Sequence, residues 1–169
     1  VMTNIGFNRF CGENNLDFVA TKVGDRYVLE EMLKNDYNFG GEQSGHIIFR
    51  DYSTTGDGQL TAVQLLNILK NSDKKFSELA GVMKKFPQVM LNVKVDNLKK
   101  LNFAVDEEVK NAIEKVSKEF ELKNNGRILV RASGTEPLIR VMLEGEDLTR
   151  ITALANEIAN LVKKRLTEV

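Results

Sequence analysis

Two short turns hold most of the residues able to do chemistry. In "RASGTEPLIR", Arg131 to Arg140, two guanidiniums bracket two hydroxyls and a glycine. A phosphate dianion is held best by a guanidinium fork, hydroxyl donors and free backbone N–H groups. This turn offers all three: Arg131 and Arg140, Ser133 and Thr135, and Gly134, whose bare backbone can approach an oxyanion closely. Pro137 stiffens the exit. The same residues also suit a plain β-turn, with Ser-Gly as turn chemistry and arginines solvated at strand ends. Chemistry alone leaves both readings open.

The second turn, "GGEQSGH", places an acid, an amide, a hydroxyl and the chain's one histidine within seven residues, Gly40 to His46. Sugar hydroxyls both donate and accept, so the Glu42 carboxylate and the Ser44 hydroxyl suit them. His46 can donate to a phosphate or pass a proton, or can simply be a satisfied polar residue at the start of a strand. A nucleophilic Ser44 is disfavoured. Gly41-Glu42-Gln43-Ser44-Gly45 is not the G-x-S-x-G elbow of hydrolases, and the one possible base lies two residues away. Asp25 and Arg26, in "KVGDRY", sit at a strand-to-helix junction where ligand groups gather in α/β sheets, although Asp25 serves equally as a helix cap. Gly56-Asp57-Gly58 has too few carboxylates near it for a metal site.

The whole composition is that of an ordinary globular chain: 169 residues, 42% apolar, 28% charged, formal net charge zero. With no basic stripe and no tryptophan, a nucleic-acid partner is disfavoured. The single cysteine, Cys11, has no internal disulfide partner and reads as a buried inert thiol in a reducing cytoplasm. No apolar run approaches the ~20 residues of a membrane span, and no signal peptide is apparent. The opening "VMTNIGF" reads as an apolar strand that starts without a methionine, which suggests a piece of a longer protein.

The elements that must position these turns follow from periodicity. Asp17–Thr21, "DFVAT", reads as a short strand. "GDRYVLEEMLKN" puts Tyr27, Val28, Met32 and Leu33 near one helical face. "YNFGGEQSGHIIFR" reads as strand, turn, strand. Asp57 caps a helix carrying Leu60, Val63, Leu66 and Leu69, apolar round enough of its girth to predict deep burial. "FSELAGVMKKF" is a further helix, with Ser77 as its cap, ending before Pro87. A boundary there gives domains 1–86 and 87–169. Beyond it Val89, Leu91, Val93 and Val95 alternate on one strand face. "DEEVKNAIEKVSKEFE" is an amphipathic helix with Val109, Ile113, Val116 and Phe120 inward and acids at its positive end. "RILVR" and "LIRVMLEG" are strands flanking the Arg131 turn. A closing helix points Leu148, Ile151, Leu154, Ile158, Leu161 and Leu166 inward. Strand, helix, strand, strand, helix predicts a small α+β domain with helices on one face of its sheet.

"GGEQSGH" followed about ninety residues later by "RASGTEPLIRVMLEG" resembles the α-D-phosphohexomutase superfamily. "VGDRYVLEEM" and "DYSTTGDGQLTAVQLL" look like its branch converting glucosamine phosphates, rather than its phosphomannomutase or phosphoglucomutase relatives. The resemblance spans essentially the whole chain. It implies an isomerase of four domains that interconverts glucosamine 6-phosphate and glucosamine 1-phosphate for cell-wall precursor synthesis. A phosphoserine on the first domain and a bisphosphate intermediate carry the reaction, and magnesium sits in a D-G-D-x-D-R loop of the second domain. The family dimerises through its first domain.

By this resemblance Glu42 and Ser44 meet the sugar hydroxyls, with His46 near the reacting end. Arg131, Ser133, Gly134 and Thr135 hold the phosphate that is not reacting, with Arg140 in support. The implied fold is a truncated mixed α/β layer domain, the family's third, followed by its fourth, an α+β domain like the TATA-box-binding protein. Neither a T-A-S-H-N-P-like serine loop nor D-G-D-x-D-R occurs in these 169 residues. The expectation is therefore a piece that recognises phosphosugar, binds no metal itself, and is silent without the missing N-terminal domains. The alternative is a stand-alone phosphosugar-binding module.

Overall fold

The computed structural model describes residues 1–167. The chain divides into two compact units, Val1–Lys85 and a second beginning at Phe86.

The first unit opens with a helix, not the apolar strand its sequence suggests. In α1 (Ile5–Glu13) the Asn4 side chain accepts the Gly6 N–H at 3.0 Å, a cap that overrides the β-branched residues around it. Asp17–Thr21 forms no strand, because β-formers make a strand only where a neighbour completes the ladder, and among the described residues none does. α2 (Asp25–Lys34) buries Val28 and Met32, whereas Tyr27 and Leu33, one residue round from each, are exposed. β1 (Phe39–Gly41) and β2 (Ile47–Phe49) pair antiparallel, Gly40 opposite Ile48. Val28, Met32 and Ile48 form the core here, with Leu29 and Tyr37 against it.

α3 (Gly58–Lys70) starts where predicted: Asp57 Oδ1 accepts the N–H groups of Gln59 and Leu60 at 2.8 and 3.0 Å. Its predicted deep burial is not observed. None of its residues is buried, and Val63 and Leu66 are each more than 60% exposed. A helix apolar on several sides can bury only the side that finds a neighbour, and α3 contacts mainly β2. α4 (Phe76–Ala80) is short. Ser77 lies inside it rather than at its cap; Lys75 holds that position, its N–H bonded by Glu78 at 2.7 Å.

The second unit carries a three-stranded antiparallel sheet in the order β3–β5–β4: β3 (Gln88–Lys94), β4 (Gly126–Ala132) and β5 (Leu138–Gly145). α5 (Asn97–Asn102), capped by Asp96, was not foreseen from the sequence; six residues are too few to show a period. α6 (Glu107–Lys123) is capped by Asp106 and ends at Asn124 in the left-handed conformation, φ 45°. α7 (Leu148–Thr167) packs on β3 and β5, and α6 on β4. Alternation sends Val93, Ile139, Val141, Leu143, Ile128 and Val130 to the helix-covered face. Fully burying one such side chain contributes about 1.5–3 kcal/mol. Leu148, expected inward, is exposed at the first turn of α7, while Ala155 and Val162 complete its buried stripe.

Candidate functional site

In each unit the structure gathers residues singled out by their chemistry. In the first, the β1–β2 hairpin closes through Glu42 N–H to His46 O at 2.8 Å and Gly45 N–H to Glu42 O at 3.0 Å. Gly45 stands at φ +96°, a conformation that side-chain-bearing residues rarely adopt. The start of α2 lies beside this turn. Glu42 Oε1 accepts the Gly24 N–H at 2.9 Å, and His46 Nε2 stands 3.5 Å from Asp25 Oδ2. Glu42, His46 and Asp25 are thus brought together, with Ser44 exposed at the tip.

Arg26 is turned aside. Its Nε bonds Glu30 at 2.7 Å, and that hydrogen bond, with the carboxylate charge, raises its pKa above the ordinary value. His46 Nε2 is buried and has no hydrogen-bond partner among the described residues. One neighbour went unnoticed in the sequence: the imidazole lies flat against Gly56, where a Cβ would overlap the ring. Only the glycine itself, in "TTGDG", hinted at so close an approach.

In the second unit the register sets Arg131 directly opposite Arg140 on adjacent strands. Both point to the sheet face away from the helices, since Val130 and Val141 beside them point into the core. Like charges directly opposite each other destabilise a ladder unless something neutralises them. One carboxylate does so in part: Glu136 Oε2 bonds Arg140 Nη2 at 2.6 Å. Arg140 Nε is buried without a hydrogen-bond partner, and the Arg131 guanidinium has no hydrogen-bond or ion-pair partner among the described residues. Further along the same face, Arg127 Nε bonds the fully buried Glu144 at 2.7 Å, a structural ion pair.

The turn between these strands is shaped from within. Ser133 N–H donates to Leu138 O at 2.9 Å, and Ser133 Oγ accepts the Glu136 N–H at 3.2 Å, leaving the hydroxyl proton to donate elsewhere. The Gly134 and Thr135 N–H groups have no acceptor among the described residues, and both residues are exposed. Lys100, from α5, donates to Ser133 O at 2.9 Å and Glu136 O at 3.1 Å. Lys100 and Glu136 were both missed in the sequence; the lysine lies 33 residues upstream, in an element that gave no signal. The arrangement can chemically hold an anion: guanidiniums on one wall, unengaged amides and hydroxyls on the other. Among the described residues no group of three or more carboxylates, histidines or cysteines is placed to hold a metal ion.

The fold is that of the third and fourth domains of the phosphohexomutases. Residues 1–86 match phosphoglucomutase/phosphomannomutase alpha/beta/alpha domain III, and residues 90–161 match the phosphoglucomutase/phosphomannomutase C-terminal domain; the chain belongs to that family. More particularly, it is 55% identical to the phosphoglucosamine mutase of Caldanaerobacter subterraneus subsp. tengcongensis over 98% of its own length and 37% of that protein's. It is 54% identical to the phosphoglucosamine mutase of Clostridium tetani, covering 98% of this chain and 36% of that one. The chain thus spans little more than a third of these relatives. Among solved structures, an Aspergillus fumigatus N-acetylphosphoglucosamine mutase shares the fold, with TM-score 0.82, 18% identity, and coverage of 96% of this chain and 37% of that one. Another structure of the Aspergillus fumigatus enzyme, in complex with GlcNAc-6P and magnesium, aligns at TM-score 0.76 and 16% identity over 99% of this chain and 38% of that one.

Proposed function

We propose that these residues are the sugar- and phosphate-recognising part of a phosphoglucosamine mutase, which interconverts glucosamine 6-phosphate and glucosamine 1-phosphate in the cytoplasm. The observation that carries the reading is the register of Arg131 opposite Arg140, with the Glu136 carboxylate bonded to Arg140 and the Gly134 and Thr135 amides of the adjoining turn unengaged among the described residues. A phosphate dianion supplies the charge and the acceptors that this arrangement lacks. Arg131, Arg140, the Ser133 and Thr135 hydroxyls and the Gly134 N–H hold the phosphate that is not reacting. Glu42 and Ser44 read sugar hydroxyls, and His46, with Asp25 beside it, stands toward the reacting end. Arg26, occupied by Glu30, contributes charge to that neighbourhood and no direct bond.

Because the two half-reactions present the sugar in opposite orientations, one fixed anchor for the idle phosphate serves both. Magnesium supplies Lewis-acid chemistry to the transferred phosphoryl group in the complete enzyme. The resemblance to the phosphohexomutases implies that the ligands of that magnesium, and the phosphorylated serine, lie in other domains of the complete enzyme. No step of phosphoryl transfer is assigned to residues of this chain.

The test is a calorimetric titration with glucosamine 6-phosphate of the chain and of Arg131→Ala. Loss of one bidentate guanidinium contact weakens binding by at least tenfold, on the order of 1.5–3 kcal/mol. Equal affinity in the two proteins removes Arg131 from the site. Mutase turnover by the 169-residue chain alone would show that it carries a nucleophile of its own.

A further inference from the structure

Lys100 reaches the Arg131 turn from α5 and touches it only through backbone oxygens, Ser133 O and Glu136 O. A trans peptide is planar, with its C=O and N–H pointing in opposite directions. The peptide whose carbonyl is Ser133 O carries the N–H of Gly134. An ammonium that holds this oxygen therefore fixes the Gly134 N–H away from itself. That N–H is one of the two that no protein acceptor engages, at a glycine with open space where a side chain would be. The second bond, to Glu136 O, closes the ammonium across the turn. It ties down the residue whose carboxylate holds Arg140 and whose N–H holds Ser133 Oγ.

We propose that Lys100 is a positioning residue for the anion turn: it orients the Gly134 amide toward the phosphate and adds a third cation beside the two arginines without itself contacting the ligand. Glycine without such a restraint is the most mobile residue of a loop. Two ammonium protons directed at carbonyls supply charge-assisted bonds that water at an exposed turn does not match. This rests on the phosphate reading above, so its test separates the two.

The measurement is NMR of the uniformly labelled chain and of Lys100→Met and Lys100→Arg, with inorganic phosphate as the probe. In the unmodified chain the Gly134 and Thr135 amides have order parameters near the ~0.85 of rigid backbone, and phosphate shifts both resonances. In K100M both order parameters fall below about 0.6 and phosphate affinity drops about tenfold, while the Val130 and Val141 amides and the thermal midpoint stay in place. In K100R, which keeps charge and donors, order and affinity are largely restored. Unchanged order at Gly134 and Thr135 in K100M overturns the proposal. If K100M loosens the turn but phosphate moves no loop amide in the unmodified chain, the anion reading fails and Lys100 remains a clamp on the turn's conformation.

Discussion

His46 is held by what is absent beside it. Its ring lies on Gly56, and any side chain there must displace the imidazole rather than a flexible tip, since the backbone of "TTGDG" leads directly into the capped start of α3. Gly56→Ala is therefore expected to rotate His46 away from Asp25 Oδ2, its neighbour at 3.5 Å, and to weaken glucosamine 6-phosphate binding several-fold. A β-methyl at a compatible backbone position normally costs little or even stabilises, so folding is not the obstacle. The chain has a single histidine, and its imidazole resonances are assigned without ambiguity. If G56A leaves their chemical shifts unchanged, Gly56 does not position the ring. The residues most exposed to this kind of logic are those that sequence reading passes over. Glu42, Ser44 and His46 declare their chemistry by type, whereas Gly56 contributes only room, and room is visible only in three dimensions.

At the scale of elements, α6 depends on its capping residue and on the end of α7. The Asp106 carboxylate accepts the Val109 N–H at 3.0 Å and meets Arg165 at 3.0 Å. The backbone hydrogen bond first, and the guanidinium after it, lower its pKa below the ordinary carboxylate value against the opposing effect of burial. A carboxyl whose folded pKa is depressed contributes stability that is present above its unfolded pKa of about 3.9 and is lost as pH falls through the folded value. Asp106→Asn keeps an oxygen for Val109 and loses the charge. It should be less stable than the parent at pH 7, and the gap should close as pH falls below about 4. Asp106→Ala also loses the cap, costing about 1 kcal/mol at any pH. Urea midpoints at pH 7, 5 and 3 decide this; a parent–Asn gap that does not change with pH sinks the charge argument. Whereas Asp106 was read from the sequence only as one of the acids at the positive end of α6, Asp57 was legible as the cap of α3 because an acid just before an apolar stripe has one dominant local use. The clean alternation of β3 and the stripe of α6 were legible for the same reason, since each element's own period reports its buried face. What escaped was non-local. "DFVAT" has the residues of a strand but pairs with no strand among the described residues, and α3 is apolar enough to be buried but finds a neighbour mainly on the side that meets β2. α5, too short for a period, matters only for where it delivers Lys100.

At the scale of the molecule, the two units are unequal. The second gathers fourteen buried residues into one cluster around β5, with Ile139, Val141 and Leu143 wholly inaccessible. The main cluster of the first is Val28, Met32 and Ile48, and a largely apolar groove of about 620 Å³ runs beside it between Phe7, Phe10, Phe18 and Met32. Side chains lining such a groove forgo dispersion contacts on their open side, and the exposed Val63, Leu65, Leu66 and Ile68 of α3 stabilise nothing they do not touch. Local stability follows buried apolar contact and protected backbone hydrogen bonds, so the units should not unfold together. In urea, hydrogen exchange is expected to release the β1–β2 amides, Gly40 and Ile48, at a lower opening free energy than those of β5, where Val141 and Leu143 exchange only with unfolding of the second unit. The consequence reaches the proposed chemistry. The turn proposed to hold phosphate is carried by β4 and β5, the more deeply buried sheet, and the turn proposed to read the sugar by the β1–β2 hairpin. Concentrations of urea that release the Gly40 and Ile48 amides should therefore abolish the effect of Gly56→Ala on the imidazole while leaving phosphate-induced shifts at Gly134 and Thr135 intact. Coincident loss of both signals, with one exchange free energy throughout, would mean that the chain unfolds as a single cooperative body despite its two cores.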